Sequence, residues 1–123
     1  MQKVLIAEDD DDLRSVLADV LEYEGYAVEV AQDGQFAIDR LLEAPRPDLL
    51  ILDIRMPRKS GYDVLEMIRQ TPALRELPVI VLTAETARIP AGPVAWLSKP
   101  VFPSLLLAVV ANYLRPAREL KSE

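Results

Sequence analysis

The stretch DLLILDIRMP, residues 48–57, decides the fold. Leu49 to Leu52 run without a polar break, and apolar side chains alternating to both faces suit a strand covered on both sides. Such strands belong to parallel sheets with helices above and below. The run stops at Asp53. A carboxylate at the carboxyl end of a central parallel strand lies where open α/β sheets bind ligands, in the crevice beyond the strand ends. Pro57 prevents the strand from continuing and stiffens the loop that leaves it. Asp53 is therefore the first candidate for the working residue.

Outward from that strand the pattern repeats. Val4 to Ala7 is a second short apolar run, and it ends in Glu8, Asp9, Asp10, Asp11 and Asp12. Leu13, Val16, Leu17, Val20 and Leu21 then fall on one helical stripe, which Gly25 stops. The later acids suit the start of that helix, where they cap it and complement its dipole. Ala27 to Ala31 reads as a strand. Asp33-Gly34 turns into a helix with Ala37, Ile38, Leu41 and Leu42 inward, ended by Pro45 and Pro47. Ser60 and Asp63 have capping-box spacing and open a third helix, with Val64, Leu65 and Ile68 inward, that Thr71-Pro72 breaks. Val79 to Leu82 is another two-faced strand, ending at Thr83-Ala84. Val94 to Leu97 is the last, followed by Ser98-Lys99-Pro100. Pro103 suits the first position of a final helix reaching about Leu114.

Alternating strands and helices with apolar strands predict a doubly wound α/β sandwich with a parallel sheet and right-handed crossovers. All strand ends then point one way. Glu8, Asp9, Asp53, Thr83 and Lys99, each directly after an apolar run, are expected to converge on one edge. The domain is expected to span 1–115, with 116–123 a polar tail or linker stub.

Composition narrows the function. The 123 residues are one domain's worth, with 50% hydrophobic and 28% charged residues, as in a globular fold. A net charge of −6 argues against nucleic acid or an anionic membrane as a direct partner. Without cysteine or histidine, thiolate chemistry, imidazole catalysis and most transition-metal sites drop out. The longest apolar run, Leu105 to Ala111, is far short of the ~20 residues of a membrane span. Val4 to Ala7 is too short for a signal-peptide core, and a cytoplasmic location is expected.

Carboxylates gathered at one edge repel, at about 1 kcal/mol per pair in bulk water and about 4 at an effective dielectric of 20 for ~4 Å separation. Oxygen ligands without nitrogen or sulfur point to Mg²⁺ or Ca²⁺ as the offset. Lys99 adds a compact positive charge, and the Thr83 hydroxyl can bond an anion's oxygen with Ala84 leaving room beside it. A carboxylate, a divalent ion and a lysine suit in-line phosphoryl transfer onto Asp53. Asp10 to Asp12 read more simply as helix-opening acids. Arg55, Arg58 and Lys59 form a basic cluster that either steers a phosphodonor or is a solvated loop.

The motifs VLIAEDDDDLR, DLLILDIRMPRKSG, VIVLTA and WLSKP, in this order, resemble those of the receiver domains of bacterial two-component response regulators. The resemblance covers nearly the whole chain. It implies a flavodoxin-like three-layer sandwich with a five-stranded parallel sheet in order 2-1-3-4-5, and a cis peptide at Lys99-Pro100. By position Asp53 resembles the phosphoacceptor, Glu8 and Asp9 the acidic pair that holds Mg²⁺ (or Mn²⁺), and the backbone carbonyl of Arg55 a further ligand. Thr83 resembles the switch hydroxyl, Lys99 the invariant lysine, and Trp96 the aromatic switch residue, usually a tyrosine or phenylalanine. The implied partner is a histidine kinase or phosphotransfer protein. The implied role is a phosphoacceptor that assists its own phosphorylation and dephosphorylation, not an enzyme acting on a separate substrate.

The sequence departs from the family between Thr83 and Trp96. Only twelve residues, Ala84 to Ala95, lie there, and they include Pro90, Gly92 and Pro93. A parallel crossover needs about a dozen or more residues, so the fourth helix is expected to be shortened or absent. That leaves a second reading, a phosphorylation-independent pseudo-receiver acting as a dimerisation or interaction module. An aspartyl-phosphate phosphatase is disfavoured because Arg55 stands where its second acid belongs, and nucleotide binding because no Gly-rich turn follows the first strand. From Pro100 to Leu114 no residue is charged. Phe102, Leu105, Leu106, Val109, Val110 and Tyr113 are expected to face the sheet. Leu107, Ala111 and Leu114 then form a second apolar line, expected to make a homodimer or partner interface.

Overall fold

The computed structural model describes residues 1–84 and 91–114. The expected tail, 116–123, lies outside the described residues, as does the part of the short crossover at 85–90. In chain order the elements are β1 (Lys3–Ala7), α1 (Asp11–Tyr23), β2 (Ala27–Ala31), α2 (Gly34–Leu41), β3 (Leu49–Asp53), α3 (Gly61–Gln70), a 3₁₀ turn (Pro72–Leu74), β4 (Val79–Thr83), β5 (Ala95–Ser98) and α4 (Pro103–Ala111). The sheet has five strands in order β2-β1-β3-β4-β5, and every pairing is parallel.

Because side chains alternate along each strand, the sheet carries two cores. Val4, Ile6, Leu49, Ile51, Ile80 and Leu82 face α1 and α4, and Leu5, Leu50, Leu52, Val79 and Val81 face α2 and α3. All five residues of β3 are buried, Asp53 included. That is why its sequence is apolar on both faces.

Helices α1, α2 and α3 start at side-chain caps, and α4 starts at Pro103 without one. Asp10 caps α1, its carboxylate accepting from the amides of Asp12 and Leu13, with Asp11 and Asp12 in the first turn. Asp33 caps α2 by accepting from the Phe36 amide. Ser60 and Asp63 form the expected capping box of α3. Gly25 follows α1 with a φ of 98°, a left-handed conformation that glycine adopts without strain. On the margins of the stripes, Val16 and Leu42, expected inward, are exposed.

The phase of α4 differs from expectation. Leu106, Val110 and Leu114 are buried in the α1-facing core, with Leu107 and Val109 packed against it. Phe102, Leu105 and Tyr113, expected to face the sheet, are exposed at 65%, 50% and 41%. The expected interface line is thus corrected: Leu114 is core, Leu107 is half-buried, and only Ala111 faces out. An uncharged helix has no polar face to set its rotation, so periodicity alone could not choose between the two lines. The buried Tyr26 hydroxyl donates to the Leu114 carbonyl at 3.2 Å, holding the turn after α4 against the α1–β2 junction.

Candidate functional site

Glu8, Asp9, Asp53, Thr83 and Lys99 come from the carboxyl ends of β1, β3, β4 and β5, as parallel pairing requires. The Glu8 amide donates to the Ala31 carbonyl at 3.1 Å, continuing the β1–β2 ladder beyond Ala7, and the Glu8 side chain is fully buried. The Arg14 guanidinium donates to the Glu8 carbonyl at 2.8 Å and also pairs with Asp11, so α1 braces the turn that carries the acids. The Asp10 amide donates to Glu8 Oε2 at 3.1 Å. Asp9 is exposed.

Asp53 ends β3 with 3% exposure, and the Arg55 amide donates to its Oδ1 at 3.3 Å. On the other side, the Lys99 amide donates to the Thr83 carbonyl at 2.9 Å, prolonging the β4–β5 pairing. This places the ammonium, Nζ, 2.9 Å from Glu8 Oε1 and 3.2 Å from Asp53 Oδ1. The contact with Glu8 Oε1 is an ion pair rather than an aligned hydrogen bond. Thr83 is buried beside them, and Lys99–Pro100 is cis.

The electrostatics follow from this count of charges. Two buried carboxylates share one ammonium, and one oxygen each from Glu8, Asp9 and Asp53 lie within 4.8 Å of one another. Burial, then the hydrogen bond and charge of Glu8, push the Asp53 carboxyl up from 3.8 to about 7, with Lys99 opposing. Burial pulls the Lys99 ammonium down, but Glu8 and Asp53 outweigh it and hold its pKa above the ordinary value. Among the described residues the pocket is short of positive charge and offers a cation carboxylate oxygens as ligands, which fits a hard divalent ion.

Of the basic cluster, Arg55, Arg58 and Lys59 are all exposed, and Arg58 Nη1 reaches Asp33 Oδ2 at 3.3 Å. That pair joins residues 25 positions apart and left no signal in the sequence beyond the two charges themselves. Trp96 pairs with Val81 across the sheet and is 46% exposed. It borders a hollow of about 350 Å³ with Lys99, Pro100, Phe102 and Leu105. A larger hollow, about 860 Å³, lies elsewhere, beside α3 and the start of β4, and none of Glu8, Asp9 and Asp53 lines it.

Comparison with known proteins gives consistent likenesses. The sequence model of the response regulator receiver domain matches residues 4–111. The transcriptional regulatory protein CpxR of Escherichia coli (strain K12) is 45% identical over 89 residues, 72% of this chain and 36% of that protein. The response regulator MprA of Mycolicibacterium vanbaalenii is 39% identical over 119 residues, 92% of this chain and 50% of that protein. The chain therefore spans half or less of the length of these curated relatives. Among solved structures, the chemotaxis response regulator CheY4 of Vibrio cholerae superposes with a TM-score of 0.84 at 32% identity, covering 93% of this chain and 99% of that one. The signal receiver domain of a signal transduction histidine kinase from Syntrophus aciditrophicus gives 0.84 at 32% identity, covering 93% and 90%.

Proposed function

The chain belongs to the response regulator receiver domain family, and from that premise we propose that Asp53 accepts a phosphoryl group from a histidine kinase or phosphotransfer protein. The observation that carries the proposal is the Asp53 carboxylate, buried at the end of β3 beside the Lys99 ammonium at 3.2 Å, with the buried Glu8 carboxylate sharing that ammonium. An Asp53 carboxylate oxygen forms the new P–O bond as the donor's P–N bond breaks, and the departing imidazole takes up a proton. Lys99 moves its charge from Asp53 to the phosphoryl oxygens, and the Thr83 hydroxyl bonds one of them. Glu8, Asp9, Asp53 and the Arg55 carbonyl would hold Mg²⁺ or Mn²⁺. When bound, the ion supplies further neutralisation of phosphoryl oxygens. In this reading the chain has no separate substrate and works in the cytoplasm. The acidic domain makes no direct contact with nucleic acid.

The output is a protein–protein contact. Trp96, Phe102 and Leu105 are exposed together, and an apolar surface of this kind generally marks a contact site. A homodimer through that face, rather than through Leu107 and Leu114, is the form the interface takes here. Intact mass after incubation with Mg²⁺ and a small acyl phosphate tests the chemistry. One added phosphoryl group is expected, absent without the divalent ion. Unmodified mass would favour the phosphorylation-independent pseudo-receiver.

A further inference from the structure

The loop between β3 and α3 is held at both ends and strained in its middle. At its ends, the Gly61 amide donates to the Ile54 carbonyl at 2.8 Å, and a Cβ on Gly61 would lie 2.6 Å from the Asp53 carbonyl oxygen. In its middle, the Lys59 amide donates to the Pro57 carbonyl at 2.8 Å across a single residue, Arg58, whose φ is 67°. A bond from i to i+2 around a positive φ marks the rare and strained form of γ-turn. Arginine has no intrinsic preference for that conformation, as glycine or asparagine would.

Its side chain, 56% exposed, reaches across to the start of α2. Arg58 Nη1 is 3.3 Å from Asp33 Oδ2, and the guanidinium lies over the Phe36 ring at 6.0 Å from its centroid. Asp33 is only 5% exposed and is fixed by its second oxygen, which accepts from the Phe36 amide at 2.9 Å. Beneath the pair the loop backbone rests directly on α2. A Cβ on Gly34 would come within 1.8 Å of the Lys59 carbonyl oxygen, so only glycine fits there. The turn before α2 and the turn after Asp53 are thus one contact.

We propose that Arg58, through Asp33, is a positioning residue for the cation site: the ion pair holds the strained turn, and with it the backbone at Arg55, in the conformation that receives a divalent ion. This rests on the phosphoacceptor reading, in which the Arg55 carbonyl is a ligand. Groups that orient metal ligands without touching the metal typically change affinity about 10- to 100-fold when removed. The effect here passes through backbone and is expected at the low end.

The test is calorimetric titration of the unphosphorylated protein with Mg²⁺, beside urea unfolding in EDTA. Arg58→Ala should weaken Mg²⁺ binding about tenfold, and Arg58→Lys should recover most of the loss because an ammonium can still pair with Asp33. Arg58→Gly keeps the turn accessible without the tie, and it too should bind weakly while unfolding near the wild-type midpoint. Binding by Arg58→Ala or Arg58→Gly within about twofold of wild type would overturn the positioning role. Loss of affinity matched by an equal loss of apo stability in both variants would overturn it as well. A wild type that takes up no Mg²⁺ would remove the cation site, and this role with it, a failure distinguishable because it appears before any substitution.

Discussion

Around Asp53 the molecule buries charge; around Trp96 it exposes hydrocarbon. Glu8 and Asp53 are inside with Lys99 between them, whereas Trp96, Phe102 and Leu105 stand about half or more in solvent. The two regions adjoin, since Lys99 and Pro100 border the hollow beside Trp96. Buried charge is expensive and persists only where it is partnered, so the first region is held in one arrangement by its ion pairs. Exposed apolar surface costs the folded monomer little and gains when covered. The difference separates an ion-paired, buried pocket from an exposed apolar surface. Substitutions should therefore act through stability and charge in one region, and through association in the other.

The largest effect should come from the shared counter-charge. Lys99→Ala removes the cation that two buried carboxylates share and should cost about 3–5 kcal/mol at pH 8, measured by urea unfolding. Adding Asp53→Asn should return much of it. A loss below about 1 kcal/mol would mean that the pocket is wetter and looser than its burial implies.

Next comes the opposite sign. Asp53 has a folded pKa of about 7 against an ordinary 3.8, so between those values the native state binds more protons than the unfolded state. Stability then falls as pH rises through that window. Without metal, Asp53→Asn should be more stable than wild type at pH 8 on the order of 2 kcal/mol. Each tenfold change in proton affinity between the two states corresponds to about 1.4 kcal/mol, and the variant forfeits the Lys99 pairing. The gain should shrink toward pH 5. An equal gain at both pH values would contradict the raised pKa.

Smaller again is the effect of metal. At ten times its Kd, Mg²⁺ should stabilise the wild type by about 1.4 kcal/mol and raise the melting temperature by several degrees. Asp9→Asn should reduce that rise. The smallest change in stability, within about 0.5 kcal/mol, is expected for Phe102→Ser with Leu105→Ser, since both side chains are already exposed. Light scattering should show weakened self-association in that variant. A loss of several kcal/mol would place those side chains in the core after all.

The contrast also explains what the sequence disclosed. Asp53, Glu8, Asp9, Thr83 and Lys99 were legible because each directly follows an apolar strand, and parallel order sends all strand ends to one edge. The sheet order and cis Lys99–Pro100 came from family resemblance, not from periodicity. The rotation of α4 was hidden because Pro100 to Leu114 carries no charge, so burial was decided by fit against α1 and the sheet. Arg58 read as part of a basic loop because its partner, Asp33, already had a local reason to exist as the cap of α2. Long-range ion pairs leave no periodic trace.

The most direct test of the phosphoacceptor assignment is chemical mapping of the modified residue. The protein is incubated with Mg²⁺ and a small acyl phosphate, reduced with borohydride, digested, and sequenced by mass spectrometry. An acyl phosphate on Asp53 is reduced to the alcohol, so homoserine should appear at position 53 and nowhere else, and only when Mg²⁺ was present. Unreduced aspartate at position 53 in protein that gained no phosphoryl group, or the corresponding alcohol at Glu8 or Asp9 instead, would contradict it.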